Sequence, residues 1–453
     1  MGEVGVAADR GQRRGRSVCG GAWLDLAALL AIVLSLGSIP GCSDGDGSDG
    51  SGSGSDAGGA AEVGGGGGGG AGATFAVIAN EQGCPVAQGP FGLDGAPLPA
   101  SLAKSCVVEG DLHIIGTPSS TPDDAWLAPL LNIRHITGSL IIEDTGVTHL
   151  DALGRLREID GDLILQGNHN LATAKGLAAL ERIGHDLVVH ENSTLKALHT
   201  PLLKVVAHGV VIRHNPALES LAGLDRVETV TEAVRIIDNA SLVDLSGLEA
   251  LRDAGGQGLV VAENLRLATV VALAALQKSG IMLEIRANPD LTKISGLQQL
   301  RMATVLRIAN NAGLLGVDGF SKLDQVQRIE ITDNLKLESV QGMSGVQKPT
   351  RLEVRGNAAL AKLAAFGGAT EAAEVAVVDN DTLGQLAFAK LARIGKLELH
   401  GNKVLGSMAG FFPTKYVDVL SICDNPQLQQ HKIDTFLSQL YKPPLKVDDC
   451  KAP

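Results

Sequence analysis

Asparagine recurs along most of this chain at intervals of 22 to 25 residues, and each copy has leucine three residues later. The asparagines are Asn168, Asn192, Asn215, Asn239, Asn264, Asn288, Asn311, Asn334, Asn357, Asn380, Asn402 and Asn425. The leucines run from Leu171 and Leu195 to Leu405 and Leu428 without exception. A fixed period in this range is the mark of a solenoid, in which successive turns stack and no single turn can bury its apolar face alone. Stacking produces an extended surface rather than a deep pocket, so binding is favoured over catalysis from the outset.

The residues around each asparagine give the turn its form. Five and three positions before it stand two aliphatic side chains, such as Leu163 and Leu165, Val210 and Ile212, or Leu397 and Leu399. Alternation with period two over about five residues reads as a strand with one buried face. One such strand per turn, always in the same sense, predicts one long parallel sheet. The asparagine falls where the strand turns a corner, and its amide can bond backbone groups that the turn leaves unpaired, turn after turn, as a ladder. A further apolar residue follows six positions on, as in Leu198, Leu245 and Ile294. Glycine stands eight positions on at Gly176, Gly223, Gly247, Gly296, Gly319, Gly342 and Gly410, which suggests a second tight corner. Two-helix repeats need a longer period. Leu140, Ile142 and Thr145 fit the same columns one turn earlier, and Leu112, Ile114 and Thr117 one turn before that, which brings the array to about fourteen turns.

The string Leu163-x-Leu165-x-x-Asn168-x-x-Leu171, entered by Gly161-Asp162, resembles the leucine-rich repeat in the variant of the receptor L domain. The resemblance covers roughly residues 106 to 430. It implies an α/β-type, leucine-rich-repeat-like solenoid and a role in ligand binding. No cysteine-rich module divides the repeats and no kinase follows them, so kinase signalling is not implied.

The ends carry different information. Arg10, Arg13, Arg14 and Arg16 precede a mostly apolar run, which closes in Ile39-Pro40-Gly41-Cys42. This resembles the lipobox of bacterial lipoproteins, in which the cysteine takes the lipid. Ser43 after Cys42 favours the outer membrane or cell surface over the inner membrane. Residues 43 to 73 are nearly all Gly, Ser, Asp and Ala, a flexible tether with a reach of roughly 30 Å by random-coil scaling. The expected organisation is a signal peptide (1–41), a tether (42–73), an N-terminal cap (74–111), the solenoid (112–430) and a C-terminal cap (431–453). A solenoid leaves its core open at both ends. Cys84 with Cys106, and Cys423 with Cys450, are placed to staple the two caps, each contributing about 3 kcal/mol on a loop-entropy estimate in an oxidising compartment.

A formal net charge of −12 and an aromatic content of 3% argue against a nucleic-acid ligand, which calls for a basic track and stacking rings. The outward strand columns lie four and two residues before each asparagine. In the early turns they hold Ile141, Ile164, Val188 and Val211, edged by His190 and Arg213; in the later turns the charge is mixed, with Glu353 beside Arg355 and Glu398 beside His400. An apolar stripe rimmed by polar groups is a candidate contact surface, though branched residues also fill parallel sheets without further purpose. His190 and His214 fall near adjacent strand ends with Glu191 close by; a divalent metal is conceivable there, but scattered surface histidine is the ordinary explanation, and no metal or other cofactor is expected. No nucleophile elbow, phosphate loop or paired metal motif occurs, so no enzyme is expected.

The sequence therefore points to a lipid-anchored envelope protein whose solenoid recognises a protein or surface ligand, with a ligand-free envelope spacer as the alternative and a hydrolase a distant third. Replacing Cys42 by Ser should release the protein into the soluble fraction, because one acyl chain alone anchors only marginally and dual acylation is lost. Fractionation that finds the variant as membrane-bound as the parent would remove the lipobox reading.

Overall fold

The computed structural model describes residues 84–448, apart from residue 96 and residues 117–123. Cys42, the tether, Thr117 and Cys450 lie outside the described residues. The chain forms a parallel β-solenoid. Sixteen strands, from Phe91–Asp94 to Lys446–Asp448, hydrogen-bond side by side in one sheet. Their register never slips from one repeat to the next: Leu163 lies beside Leu187, Leu187 beside Val210, and Val210 beside Val234. A slip of one residue would turn every core side chain outward.

The alternation seen in the sequence sets which face is buried. Leu283 and Ile285 are fully buried, as are Leu291, Ile294, Leu297 and Leu300 later in the same turn. One apolar core runs without interruption from Ala87 to Phe436. The return path of each turn is a strand of two or three residues or a short 3₁₀ segment. These strands pair into further parallel sheets of six, two and five strands, an addition to the one sheet that the sequence predicts. Among the described residues the α-helix is confined to Gln430–Ser438. The second corner is tight, as the glycines suggest. Gly247 has φ 113°, and a Cβ there would stand 2.2 Å from the Leu221 carbonyl oxygen of the preceding turn.

The asparagines form a continuous ladder at the first corner. The Asn288 side chain reaches the preceding turn with both its groups. Its Oδ1 accepts from the Asn264 backbone N–H at 3.0 Å, and its Nδ2 donates to the Val261 carbonyl at 3.1 Å. Nδ2 also donates to the Arg286 carbonyl within its own turn at 3.0 Å. The other rungs repeat both bonds to the preceding turn, and all twelve asparagines are buried. Thr145 begins the ladder by donating its backbone N–H and hydroxyl to Asn168 Oδ1.

The sharp bend itself is made one residue earlier than the sequence suggests. Asp144, Gly167, Glu191, His214, Asp238, Glu263, Ala287, Asn310, Asp333, Gly356, Asp379, Gly401 and Asp424 all have φ between 52° and 66°. Most are Asp, Asn or Gly, the types that accept the left-handed conformation most readily. That column was legible beside the ladder.

Both ends are closed by elements that continue the stack. At the N-terminus, Val86–Gln88 pairs with Val107–Glu109, and Phe91–Asp94 pairs with Leu112–Ile115. The cap is thus an additional turn, and the Cys84–Cys106 disulfide (Cα–Cα 5.9 Å) joins it to the next. At the C-terminus, Phe366, Phe388 and Phe411 stack with centroids 6.2 and 5.0 Å apart, and Phe436 from the helix meets Phe411 edge-on at 6.3 Å. Phe436 is fully buried and covers the open end of the core. Cys423 is disulfide-bonded.

Asn288→Ala leaves the Asn264 N–H and two carbonyl oxygens without their partner. The expected loss is about 1–3 kcal/mol, the cost of stranding buried polar groups. Lys293→Ala, at an exposed position in the same turn, should leave the denaturant midpoint unchanged. Equal midpoints for the two variants would remove the ladder as a source of stability.

Candidate functional site

The outward face of the long sheet divides into two halves of different chemistry. In the first half, Ile141, Ile164, Val188 and Val211 stand side by side in register, followed by Arg235 and Val260. The parallel column holds Gln166, His190, Arg213, Ile237 and Ala262. The expected stripe is therefore in place, but it is less open than the sequence suggests. Ile164 is only 7% exposed and His190 only 8%, while Ile141, Val188, Val211 and Arg213 are half-buried. The reason is lateral: at a strand spacing of about 4.8 Å, branched side chains in one column cover one another's flanks.

Two arginines in this half have no carboxylate within 4 Å among the described residues. Arg213 lies beside Ile237, and Arg235 lies between Val211 and Val260. Arg235 is half-buried and its Nε has no hydrogen-bond partner. Burial lowers its pKa from the ordinary arginine value, against the pull of Glu284 and Glu232.

The second half neutralises itself. Arg307 bonds Glu330 at 2.7 Å and Glu284 at 3.4 Å. Arg351 bonds Glu374 at 2.7 Å and Glu353 at 2.9 Å, and Arg355 reaches Glu353 at 3.0 Å. Burial works against the charge on Glu353, yet Arg355 and Arg351 outweigh it and hold the carboxyl below its usual range. The pairing of Glu353 with Arg355 is as the sequence suggests. Glu398 instead pairs with Lys396, and His400 lies 2.8 Å from the Ser421 hydroxyl.

Three side chains converge at the rim of the first half. His190 Nε2 lies 3.0 Å from His214 Nδ1 and 3.1 Å from Glu191 Oε1. His190 ends its strand, whereas Glu191 and His214 occupy equivalent left-handed corners on successive turns. Burial first, then Arg213, lowers the His190 pKa to about 4 against the opposing effect of Glu191, so this imidazole is neutral at pH 7. The other members of the histidine-rich region stay apart from this group: His208 pairs with Asp186 at 2.8 Å, and His199 with Thr173 at 3.1 Å.

Residues 105–223, which include Ile141, Ile164, Val188 and Val211 of this face but not Arg235 or Ile237, match the family model of the Receptor L domain. Among solved structures, the chain is similar to an internalin (InlF) from Listeria monocytogenes, at 15% identity over 78% of this chain and 83% of that one, with a TM-score of 0.31. A TLR13–ssRNA13 complex matches at 13% identity over 78% and 57%, with a TM-score of 0.28. A leucine-rich repeat protein from Bacteroides ovatus matches at 12% identity over 77% and 84%, with a TM-score of 0.24.

The register separates two neighbouring positions sharply. Val188→Lys should fold, because its side chain can extend from the outward face. Val189→Lys should unfold the early turns, because Val189 is fully buried and an ammonium there has no partner. Circular dichroism melts that find the two variants equally unfolded would show the stripe to be internal.

Proposed function

We propose that this is a recognition protein, tethered to the cell envelope through lipid on Cys42, that binds a protein partner across the outward face from Ile141 to Ile237. The observation that carries this reading is the difference between the two halves of the sheet. Arg286, Arg307, Arg328, Arg351, Arg355 and Lys396 each have a carboxylate within 4 Å. Among the described residues Arg213 and Arg235 do not, although the chain carries a net charge of −12. A half-buried cation in an apolar surface is costly to hold and gains most when a ligand carboxylate completes the pair in a desolvated interface. Val188, Val211 and Ile237, each half-buried along the two columns that hold these guanidinium groups, supply the apolar area that such a contact would bury.

The Receptor L domain match over residues 105–223 supports binding as the general role. The Cys84–Cys106 disulfide agrees with an oxidising compartment and hence with export. A catalytic reading has no convergent nucleophile, base and oxyanion donor to rest on among the described residues.

A photo-cross-linker placed at Val188 or Val211, both half-buried on the outward face, in the purified chain presented to envelope extract should capture a discrete protein. The same reagent at Lys293 should not. The double variant Arg213→Glu, Arg235→Glu should weaken that capture by about ten-fold or more, since it replaces attraction to an acidic partner with repulsion. Equal yields from all three positions, or capture indifferent to the charge reversal, would return the protein to the role of an envelope spacer.

A further inference from the structure

The contacts within the His190, Glu191 and His214 group do not close as hydrogen bonds. His190 Nε2 faces a carboxylate oxygen at 3.1 Å and an imidazole nitrogen at 3.0 Å. A neutral imidazole nitrogen carries one proton or one lone pair, not both. If Nε2 is protonated, two acceptors share a single hydrogen. If it is bare, it accepts from His214 Nδ1–H while its lone pair faces the Glu191 carboxylate. The imidazole–carboxylate pair His208–Asp186 elsewhere on the surface has no such conflict, because one donor meets one acceptor at 2.8 Å. A cation placed among the three atoms would use all three lone pairs at once.

The dimensions fit. Metal–nitrogen and metal–oxygen distances of about 2.0–2.2 Å around a tetrahedral ion put neighbouring ligand atoms about 3.3 Å apart. Two of the three separations here are 3.0 and 3.1 Å, and all three ligand atoms lie within 4.8 Å of one another. The remaining closure falls to Glu191, whose side chain is 55% exposed and free to adjust. The second ring nitrogen of His214, Nε2, lies 3.6 Å from Asp238 Oδ2. A carboxylate behind a ligating histidine is the usual device for fixing the ring and its tautomer. The backbone also contributes, because Glu191 and His214 sit at left-handed corners with φ 58° and 55°. These corners bring Glu191 and His214 to equivalent places on adjacent turns.

From this geometry we propose that His190 Nε2, His214 Nδ1 and a Glu191 carboxylate oxygen form a three-ligand site for a divalent transition cation of the zinc class, with a fourth position open to solvent. Two imidazoles and one carboxylate suit zinc, cobalt or nickel rather than calcium or magnesium, which take oxygen ligands. Arg213, next to His190 in register, opposes the cation, while Glu191 and Asp238 offset it. His190 Nδ1 is buried without a partner, so loading the ring through Nε2 leaves an unsatisfied N–H there, and the affinity should fall below that of a structural zinc site. The site does not depend on the recognition role, and its test reads metal rather than partner.

The full chain would be dialysed against Zn²⁺ and the bound metal counted, with Co²⁺ as a spectroscopic probe. The parent should hold one equivalent that His214→Asn loses. Asparagine accepts the left-handed corner, so this variant keeps the fold. Glu191→Gln should bind about ten-fold or more weakly, and His208→Gln should bind like the parent. The Co²⁺ spectrum should show visible d–d bands that disappear in His214→Asn, without the thiolate charge-transfer bands that cysteine ligands would add. Zn²⁺ should also raise the thermal midpoint of the parent and not that of His214→Asn, because a ligand of the native state stabilises it by mass action. Metal uptake and cobalt spectra unchanged in His214→Asn, or no equivalent bound by the parent, would overturn the assignment.

Discussion

Each turn of this solenoid must bend its backbone through a corner that faces the core, and the polar groups exposed by that bend have no water to bond. The buried asparagine solves the problem across turns rather than within one. Its carbonyl takes the backbone N–H of the turn before, and its amide feeds the strand carbonyl of that same turn, as in Asn264 with Asn239 and Ile236. The bonds tie neighbouring turns in one fixed register, so the period of the sequence and the pitch of the sheet are two expressions of one constraint. It also explains why the spacing stays within 22 to 25 residues. Extra residues can be absorbed in the return path, but none can be absorbed between the strand and its asparagine.

Satisfying the interior in this way leaves the ends as the weak points. A stack of identical turns exposes an apolar cross-section at each terminus. The N-terminal end is closed by a turn of the same kind fastened by a disulfide. The C-terminal end changes element type, and a short helix brings Phe436 onto the stacked rings of Phe411, Phe388 and Phe366. Aromatic stacking suits that place because the rings are wide enough to cover the cross-section that a leucine would leave partly open.

The outward face carries the variation that the ladder leaves free. Its later turns weave acidic and basic side chains into a neutral lattice, from Glu284 through Arg307, Glu330, Arg351 and Glu353. Its earlier turns are apolar, with two guanidinium groups that have no carboxylate within 4 Å among the described residues, and with His190, Glu191 and His214 at the rim. Paired charges in such a lattice contribute little net attraction for a partner, whereas unpaired ones beside apolar surface do. One scaffold thus presents two chemically different surfaces along the same sheet.

The period, the alternating pair and the recurring asparagine were sufficient to assign the parallel solenoid, its buried columns and the register that aligns Ile164, Val188 and Val211. Such features are legible in a sequence because they arise from local geometry repeated many times, so each turn confirms the others. The left-handed residue before each asparagine was equally visible in the run of Asp, Asn and Gly, and reading the asparagine itself as the corner passed over it. Other features depended on distances between turns. Whether Ile164 is open or covered follows from its neighbours at strand spacing, and the sequence shows the column but not the shielding. Which arginines find carboxylates depends on side-chain reach across adjacent strands, so Glu398 chose Lys396 and left His400 to Ser421. The repeat places His190 and His214 near adjacent strand ends with Glu191 close by, but that their ring nitrogens and the carboxylate come within 3.0 and 3.1 Å of one another depends on two corners one turn apart bending by the same angle, which only the folded stack sets.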